Sequence, residues 1–575
     1  KLLKTGSEII VESLKNEGVS CVFGMPGAQN LALYDSLAGS GIRNILVTNE
    51  QNAPYMADGY SRATGKVGVC IVVGGPGLTH MLSGLAEANA DSSPLVVLAM
   101  SIGSAKGDFF IHQVKQLEAA RPIVKQVIRI RHGDTISRRI KEAFYVAQEA
   151  GPGPVIVEVS KEVLSEKSQK ETTGEKAGEK SALDSGVKEK IEQLASKIIN
   201  AKHCGIYAGM GAFGASGLIR QIAEKFSMPV ATTISGRGVF PEDHELSVGF
   251  GFGPSGTEIS EEVFKECDVI LAFGCRFSEM STGQWGMRIS AWLAHIDKDK
   301  SVFNKNYPAQ MALCADTQLV LVSLLDILKD AKRQKDISLM QKIKRGKEGQ
   351  QGAVNKFNSA DKGVLPSIFF QRLRKSLSRE SILVTDCGNH QLWAVSDFQV
   401  FEPRTFITPT DYQAMGFGIP AAIGAKIGRS DRKVVCVCGD GGFLMSGFET
   451  LTAVREKLGI VIFVFNDAAL GLIKDLQEKL YGRANCVKLV NPDYRFLAQA
   501  LGVDYHGVKN EEELEQFCLK SMDYPGPMLV EVKVNYESLP RYAIGIKETF
   551  WKRASLRKKL TLALRNACVF RRKEV

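Results

Sequence analysis

The sequence lacks any long apolar run. No stretch approaches the roughly 18 residues that a membrane-spanning helix needs, so we expect no transmembrane segment. It also lacks CxxC pairs and zinc-like spacings, since its 12 cysteines are scattered and several lie inside apolar stretches, as do Cys70, Cys267 and Cys436. We predict reduced thiols of an intracellular protein. The first residues show no signal-peptide pattern, so we expect a cytoplasmic location; an organelle, after removal of a transit peptide, is the alternative.

Most of the chain carries little net charge. The formal net charge is +10, but the segment Lys547–Val575 holds ten Lys or Arg and two Glu, which leaves about +2 for all the rest. We therefore expect no nucleic-acid partner. Leu556, Leu560 and Leu564 recur every fourth residue in the basic tail. That spacing predicts a basic amphipathic helix for an acidic surface, either a membrane or a partner, and a solvated tail is the equal alternative.

Two polar segments divide the chain. The stretch 165–184, "SEKSQKETTGEKAGEKSALD", has no apolar period and predicts a linker. The stretch 332–362 is rich in Lys, Gln and Gly and predicts a helix followed by a second crossing segment. With 575 residues, several domains are expected. We place them at residues 1–165, 185–332 and 363–545, followed by a basic tail at 546–575.

Each of the three blocks alternates apolar, β-branched runs with helical segments. Examples are "VGVCIVVGG" in the first block, "VILAFGC" in the second and "VVCVCGDGG" in the third. Unbroken apolar strands joined by helices predict parallel sheets covered on both faces, so the fold class is α/β with three doubly wound parallel-sheet domains. Ligands of such sheets bind beyond the carboxyl ends of the strands, so the residues after each strand are the candidates for a site.

Polar oxygens come directly after two strands of the third block. Asp440 follows "VVCVC", and Asn466 follows "IVIFVF" 26 residues later, which fits one strand–helix–strand unit. Neighbouring parallel strands would place both side chains at one sheet edge, where a carboxylate and an amide oxygen suit Mg²⁺. Gly441 and Gly442 would let the backbone approach a diphosphate at the helix N-terminus. A glycine-rich turn with a helix-capping Asp440 is the alternative.

The same residues resemble a family signature. Gly439-Asp440-Gly441 followed by Asn466 is similar to the thiamine diphosphate motif, and "CGNHQLW" and "YQAMGFGIPAAIGA" resemble stretches of acetolactate synthases. The family usually has a second Asn where this chain has Asp467. The resemblance implies Mg²⁺ held by Asp440, Asn466 and the main-chain carbonyl of Ala468.

The resemblance also implies the cofactor contacts. Met415 would support the bent cofactor from below, although a gap-filling core methionine is the alternative. Gln413 would offer its backbone carbonyl to the aminopyrimidine, where the family more often has Gly. The cofactor-binding residues implied are Gly75, Pro76, Gly77, Gly388, Asn389, His390, Gln413, Met415, Gly439, Asp440, Gly441, Gly442, Asn466 and Leu470.

The first block resembles the family around "ILVTNEQNAPYMADGYSRATGK". Glu50 is then the residue that hydrogen-bonds the cofactor pyrimidine and handles the proton that activates it. A surface Glu in a loop is the alternative. "GGPGLTHMLSGLAEANADSSPLVVLAM" resembles the segment that lines the cofactor edge, with His80 in place of the usual Asn. His80 could instead cap a helix.

The loop "GDFFIHQVKQLEAARPIVK" departs from the family, which commonly has Phe-Gln-Glu there. Phe109 and Phe110 stand near the Phe-Gln position, followed by His112 and Gln113. We predict His112 and Gln113 as catalytic candidates, with a structural histidine as the equal alternative.

In the middle block, "AGMGAFGASG" holds a GxGxxG pattern, a weak dinucleotide signal. The stretch "RFSEMSTG" resembles the flavin-binding "RFDDRxTG" of anabolic acetolactate synthases, keeping Arg276 but not the two acids. FAD is therefore a further candidate cofactor beside thiamine diphosphate and Mg²⁺.

The resemblance implies a pyrimidine-binding, a central Rossmann-like and a diphosphate-binding domain. It implies decarboxylation of a 2-oxo acid and transfer of the resulting enamine to an acceptor carbonyl, in a homodimer or homotetramer with active sites between subunits. Anabolic members of the family have a Trp near Leu476 that favours 2-oxobutyrate as acceptor, and Leu476 would not make that contact. Together with the altered loop at Phe109–Gln113, this argues against a standard branched-chain biosynthetic enzyme. The alternatives are a catabolic-type synthase, a carboligase for bulkier 2-oxo acids, a 2-hydroxyacyl-CoA lyase-like enzyme, a simple decarboxylase or, remotely, a non-catalytic binder of the cofactor.

Overall fold

The computed structural model describes residues 3–102, 109–168, 183–354, 363–520, 522, 524–536 and 538–555. It contains three six-stranded sheets, in each of which every paired strand is parallel to its neighbours. Helices cover both faces of each sheet, which explains the nearly unbroken burial of strands such as Val434–Gly439. The prediction of three doubly wound α/β domains is confirmed.

The N-terminal sheet is built from six strands. In spatial order they are Arg43–Leu46, Cys21–Gly24, Gly68–Val72, Leu95–Ser101, Pro154–Ser160 and Gln126–Ile130. The helices of this domain are Gly6–Asn16, Leu31–Leu37, Asn52–Thr64, Pro76–Ala90, Gln116–Ala120, Ile136–Gln148 and Lys161–Ser165. A small antiparallel pair, Lys4–Thr5 with Lys167–Ser168, joins its two ends.

The C-terminal sheet repeats that topology. Its spatial order is Phe406–Ile407, Ile382–Thr385, Val434–Gly439, Ile460–Asn466, Met528–Lys533 and Asp504–Val508. Numbered within each domain, both sheets therefore have the order 2-1-3-4-6-5. The helices are Pro366–Ser376, Asn389–Asp397, Gly418–Gly428, Asp440–Ser446, Thr450–Arg455, Gly471–Tyr481, Tyr494–Leu501, Glu511–Lys520 and Arg541–Arg553.

The central sheet has a different order. Its strands are Ser247–Phe250, Val230–Thr232, Cys204–Ala208, Val269–Phe273, Trp292–Asp297 and Met311–Cys314, which is 3-2-1-4-5-6. This is the Rossmann order. The helices are Ser185–Asn200, Ser216–Phe226, Glu258–Phe264, Thr317–Ile327 and Ile337–Val354.

The N- and C-terminal domains pack through equivalent helices, Asn52–Thr64 and Gly418–Gly428. A Cβ on Gly59 would lie 2.0 Å from the carbonyl oxygen of Ala421, and one on Gly424 would lie 1.8 Å from that of Met56. Only glycine permits this approach of two backbones. The close contact fixes how the two similar domains face each other.

Several predicted segments have partial outcomes. The helix Ile337–Val354 lies within the predicted 332–362 segment, whereas most of the predicted linker and the leucines of the basic tail lie outside the described residues. The domain boundary at 546 falls inside the helix Arg541–Arg553, in which Tyr542 and Thr549 are buried. Among the described residues, no helix is both long and apolar enough to cross a membrane.

Candidate functional site

Asp440 and Asn466 lie side by side at the carboxyl edge of the C-terminal sheet. Gly439 and Phe465, the residues directly before them, are partners in the parallel ladder. Asp440 is 1% exposed and begins the helix Asp440–Ser446, whose cap position is Gly439 and has no side-chain cap. Asp440 is therefore the first residue of the helix rather than its cap residue, and its Oδ1 accepts a hydrogen bond from the N–H of Gly441 at 2.8 Å, which leaves Oδ2 facing Asn466.

One amide group connects the two side chains. Nδ2 of Asn491 donates to Oδ2 of Asp440 at 2.8 Å and to Oδ1 of Asn466 at 2.9 Å. The two oxygens therefore lie close together, bridged by one amide nitrogen, as two ligands of one cation would have to lie. Asn491 was not predicted from the sequence. The Asn-Pro-Asp string ahead of the helix Tyr494–Leu501 was the available signal, and it indicates only a local turn.

Ala468 completes the predicted metal set. Its φ of +51° turns the backbone sharply after Asn466, and its N–H donates to Oδ1 of Asn466 at 3.2 Å. Its carbonyl oxygen accepts a hydrogen bond from the N–H of Leu489 at 2.9 Å. Because a carbonyl oxygen has two lone pairs, this bond leaves one for a cation.

His390 stands beside the glycines of the predicted diphosphate loop. A Cβ on Gly388 would lie 2.9 Å from Cε1 of His390, and a Cβ on Gly439 would lie 3.4 Å from Nδ1. The ring is 3% exposed, and burial lowers the pKa of His390 to about 4. Within the described chain, its Nε2 is buried without a hydrogen-bond partner. In a neutral ring one nitrogen donates and the other accepts, so Nε2 is left free for a ligand in the role that the tautomer gives it.

Met415 and Leu470 close over Gly441. A Cβ on Gly441 would lie 3.2 Å from Cε of Met415 and 2.9 Å from Cδ2 of Leu470. The turn before Met415 has Gln413 at a φ of +64°, the region that favours glycine, which explains why a glycine is common at such a position. The Gln413 side chain is held by Cys387 and by the carbonyl of Thr410.

A neighbouring side chain, and not a ligand, requires glycine at position 442. A Cβ there would lie 2.5 Å from Oδ2 of Asp386. The Asp386 carboxylate accepts hydrogen bonds from the N–H groups of Cys387 and Gly416, and burial raises its pKa to about 7. Asp386 thus ties together the loops that carry Gly388 and Met415. It was not predicted from the sequence because it precedes the quoted motif by one residue.

The donor set fits a metal-bound diphosphate. Two side-chain oxygens lie side by side, the carbonyl oxygen of Ala468 keeps one lone pair unused two residues after Asn466, and an unpaired histidine nitrogen lies beside glycines at a helix start. Oxygen ligands of this kind suit Mg²⁺, and glycine N–H groups at a helix N-terminus suit phosphate. Burial raises the pKa of Asp440, so its ionised form is one that a cation would stabilise.

Glu50 lies in the N-terminal domain, just before the helix Asn52–Thr64. Oε2 of Glu50 is 3.1 Å from Nδ1 of His80, and the Glu50 side chain is 18% exposed. His80 lies inside the helix Pro76–Ala90, which has Gly75 at its cap position, so His80 pairs with Glu50 rather than capping. Oε1 of Glu50 lies 3.7 Å from where a Cβ on Gly77 would stand. The structure therefore brings Glu50 and the Gly75–Gly77 loop together.

The loop around His112, which departs from the family pattern, contacts Gly75. The carbonyl oxygen of His112 would lie 2.5 Å from a Cβ on Gly75, and Nδ1 of His112 is 3.2 Å from Nε2 of Gln29. Gln113 is exposed and accepts from the N–H of Phe110. The buried glutamine of this loop is Gln116.

Gln116 holds three groups together. Its Oε1 accepts from the N–H of Gly75 at 2.8 Å, and its Nε2 donates to the carbonyl of Met100 and to Oε1 of Glu158. Gln116 was not predicted because nothing in the local pattern distinguishes it from Gln113. A cavity of about 650 Å³ opens beside it, lined by Gly75, His112 and Gln113 among others.

Two buried acids join the N- and C-terminal domains. Glu449 accepts hydrogen bonds from the side chains of Thr48 and Asn52. Glu87 accepts from the N–H of Ala414 at 2.9 Å, next to Gln413. Burial, together with nearby Asp91, raises the pKa of Glu87 to about 10, so it is protonated at neutral pH. In the described chain, no hydrogen bond or ion pair joins Glu50 to the C-terminal cluster.

The central domain contributes a separate cavity of about 320 Å³. Its lining includes Gly211 of the GxGxxG pattern, Arg276 and Asp297. Arg276 is already engaged, since its NH2 donates to Oδ2 of Asp411 at 2.8 Å and to the carbonyl of Ala90.

Three family models match the chain, all described as thiamine pyrophosphate enzyme domains. The N-terminal TPP binding domain matches residues 4–119, the central domain 191–324 and the C-terminal TPP binding domain 386–532.

Curated relatives match almost end to end. The acetolactate synthase large subunit of Porphyra purpurea is 32% identical over 561 residues, covering 94% of each chain. The probable acetolactate synthase large subunit of Methanocaldococcus jannaschii is 33% identical over 565 residues, again with 94% of each chain. Acetolactate synthase 2, chloroplastic, of Nicotiana tabacum is 33% identical over 557 residues, covering 93% of this chain and 82% of its own.

Proposed function

The chain belongs to the thiamine pyrophosphate enzymes, as an acetolactate synthase-like member, and from this premise we propose that it decarboxylates a 2-oxo acid with the help of Mg²⁺ and passes the remaining carbon unit to an acceptor carbonyl. The observation that best supports Mg²⁺ binding is that Asp440 Oδ2 and Asn466 Oδ1 lie close together, bridged by the amide of Asn491. When bound, thiamine diphosphate supplies a nucleophilic carbon and an electron sink for carbon–carbon bond cleavage.

The residues divide the work. Asp440, Asn466 and the Ala468 carbonyl would hold the cation. Nε2 of His390 and the glycine N–H groups would bind the diphosphate. Met415 and Leu470 would exclude water from the reacting face, since both pack over Gly441.

The proton step belongs to Glu50. Its carboxyl would hold and return a proton at Oε1 or Oε2, with His80 Nδ1 at 3.1 Å orienting the group. His112 and Gln113 are placed by their loop at the Gly75 edge, and we propose His112 as a second proton-handling side chain. Gln113 is proposed only as a contact for substrate, because its carbonyl oxygen already accepts from Phe110.

We propose a homodimer, or a tetramer of such dimers, in which Glu50 of one subunit serves the C-terminal cluster of another. Leu444, Met445 and Phe448 beside that cluster are 45%, 60% and 66% exposed. Apolar residues this exposed next to a candidate catalytic site indicate a surface that another subunit covers. Mixing Glu50→Gln protein with Asp440→Ala protein tests this, since we expect each variant alone to be strongly impaired and mixed dimers to regain activity only if the site is shared.

The acceptor is proposed to be bulkier than 2-oxobutyrate. Leu476 lies with Ile473 and Leu480 on the helix Gly471–Tyr481 beside the cluster, and a leucine at this position takes up less space than a tryptophan would. Cleavage of a 2-hydroxyacyl-CoA or simple decarboxylation is the second candidate, favoured by the same smaller side chain. FAD is left out of the proposal because Arg276 is paired with Asp411.

The deciding experiment is a product screen. Pure protein with thiamine diphosphate and Mg²⁺ is incubated with a panel of 2-oxo acids and aldehydes, and the products are identified by NMR. Carboligation gives a new hydroxyketone, whereas simple decarboxylation gives the free aldehyde. Glu50→Gln is the matched control, and a panel in which wild type and control give the same spectra contradicts the proposal.

A further inference from the structure

The side chain of Asn491 occupies an unusual position between two groups of the candidate metal site. Its Nδ2 donates to Asp440 Oδ2 at 2.8 Å and to Asn466 Oδ1 at 2.9 Å, so one NH₂ group serves two acceptors. The opposite assignment of the amide would set its oxygen against two other oxygens and is unfavourable. Within the described chain, Oδ1 of Asn491 is buried and makes no hydrogen bond.

The backbone holds Asn491 in place independently of its side chain. The segment before it runs beside the turn that comes after Asn466. The N–H of Leu489 donates to the Ala468 carbonyl at 2.9 Å, and the N–H of Leu470 donates to the Val487 carbonyl at 2.8 Å. The side-chain amide is thus delivered to the site by a strand-like pairing. Its buried, unsatisfied oxygen is a cost that a purely structural asparagine would not need to bear.

We propose that Asn491 is a positioning residue of the metal site: its amide holds the Asp440 carboxylate and the Asn466 oxygen together so that both face one cation. The inference rests on the proposed function. Without Asn491, Asp440 keeps its hydrogen bond from the Gly441 N–H and Asn466 keeps those with Ala468 and Glu531, but none of these joins the two side chains to each other. The cation would then have to bring the two side chains together itself, and this ordering would weaken its binding.

The test uses Mn²⁺ as probe and needs no turnover. Wild-type protein with thiamine diphosphate is titrated with Mn²⁺, and the free ion is followed by electron paramagnetic resonance. Asn491→Ala removes both donated hydrogen bonds, and groups that orient metal ligands typically contribute about 10–100-fold in metal affinity, which is the loss we expect. Asn491→Ser keeps one short donor and should lose less in the same direction.

Asp493→Ala is the matched control. Oδ1 of Asp493 caps the helix Tyr494–Leu501 by accepting from the N–H groups of Arg495 and Phe496, so its loss loosens the same segment without touching the ligands. Unchanged Mn²⁺ affinity in Asp493→Ala, with weakened affinity in both Asn491 variants, supports a positioning role. An equal loss in Asp493→Ala and Asn491→Ala overturns it, because loosening of the segment then explains the effect.

The outcomes separate this inference from the function it rests on. Wild-type protein that binds no Mn²⁺ with thiamine diphosphate overturns both. Wild-type binding with equal affinity in Asn491→Ala, or in Asn491→Ser if the alanine variant does not fold, overturns only the role of Asn491.

Discussion

The N- and C-terminal domains share one strand order and differ in the residues placed after the strands. In both, the third strand ends in a glycine-rich turn and a helix begins: Gly68–Val72 leads to Pro76–Ala90, and Val434–Gly439 leads to Asp440–Ser446. Only the second turn places a carboxylate at the helix start. Under the proposed function, the same scaffold would hold a metal and a diphosphate in one domain and handle a proton in the other. Chemistry is decided by single residues at strand ends, and the fold alone does not specify it.

The strongest test of this division is Asp440→Ala. We expect it to abolish retention of thiamine diphosphate, because the metal would lose its one anionic side-chain ligand in the C-terminal domain. Isothermal titration of cofactor with Mg²⁺ measures the effect. Wild-type affinity in this variant would show that the glycine-rich turn does not hold the metal.

Glu50→Gln tests the other half of the comparison. The substitution is nearly isosteric and lies outside the diphosphate cluster, so cofactor affinity should remain close to wild type. Gln cannot shuttle a proton, and such steps contribute typically about 10²–10⁴-fold to rate. The measurement is hydrogen–deuterium exchange at C2 of the bound cofactor, by quenched-flow NMR, on the sample used for titration. Unaltered exchange would remove Glu50 from the proton role.

Glu449→Ala tests how the two domains are joined. Glu449 is fully buried and accepts hydrogen bonds from Thr48 and Asn52, so its loss leaves buried donors unpaired. We expect the free energy of unfolding to fall by about 2–4 kcal/mol, measured by urea denaturation.

Its matched control is Glu456→Ala. Glu456 pairs with Arg43 between the same two domains at 3.0 Å, but the Arg43 side chain is 51% exposed. An exposed pair of this kind contributes about 1 kcal/mol or less. Equal losses in the two variants would mean that burial is not what makes the Glu449 contact strong.

Glu87→Gln tests the contact between the N-terminal domain and the Gln413 loop. The folded-state pKa of Glu87 is raised to about 10 from its ordinary 4.5, so the folded protein keeps a proton that the unfolded chain releases. Stability therefore falls as pH rises from about 4.5 toward 10. Gln removes this dependence. We expect the melting temperature of the variant, relative to wild type, to be higher at pH 8 than at pH 5, and an equal difference at both pH values would contradict it.

Removal of residues 556–575 should have the smallest effect, because the helices and strands described for both compared domains end before Ser555. Truncation after Ser555 should leave turnover and melting temperature unchanged. Truncation after Gly545 should lower the melting temperature, because Thr549 is buried and Arg553 donates to the carbonyls of Gln284 and Trp285. Loss of turnover in the shorter deletion would assign the basic tail a catalytic part.

Local sequence patterns were enough to predict the three parallel-sheet domains and the strand ends that carry Glu50, Asp440 and Asn466. Both can be predicted from local signals, because buried parallel strands consist of unbroken apolar runs. The residue after each run lies at the carboxyl edge of the sheet, where ligands bind. Short strands such as Phe406–Ile407 were not predicted, since two apolar residues carry no period.

The contacts that distant side chains make with the candidate site depend on the folded chain and could not be predicted. Asn491 reaches Asp440 across 51 residues, Gln116 rather than Gln113 holds Gly75, and Glu449 bridges to the N-terminal domain. Each of these contacts depends on how a loop or helix is placed by packing between elements far apart in the chain. No local pattern encodes that placement, because the partner atoms meet only once the sheets and the glycine-mediated helix contact have formed.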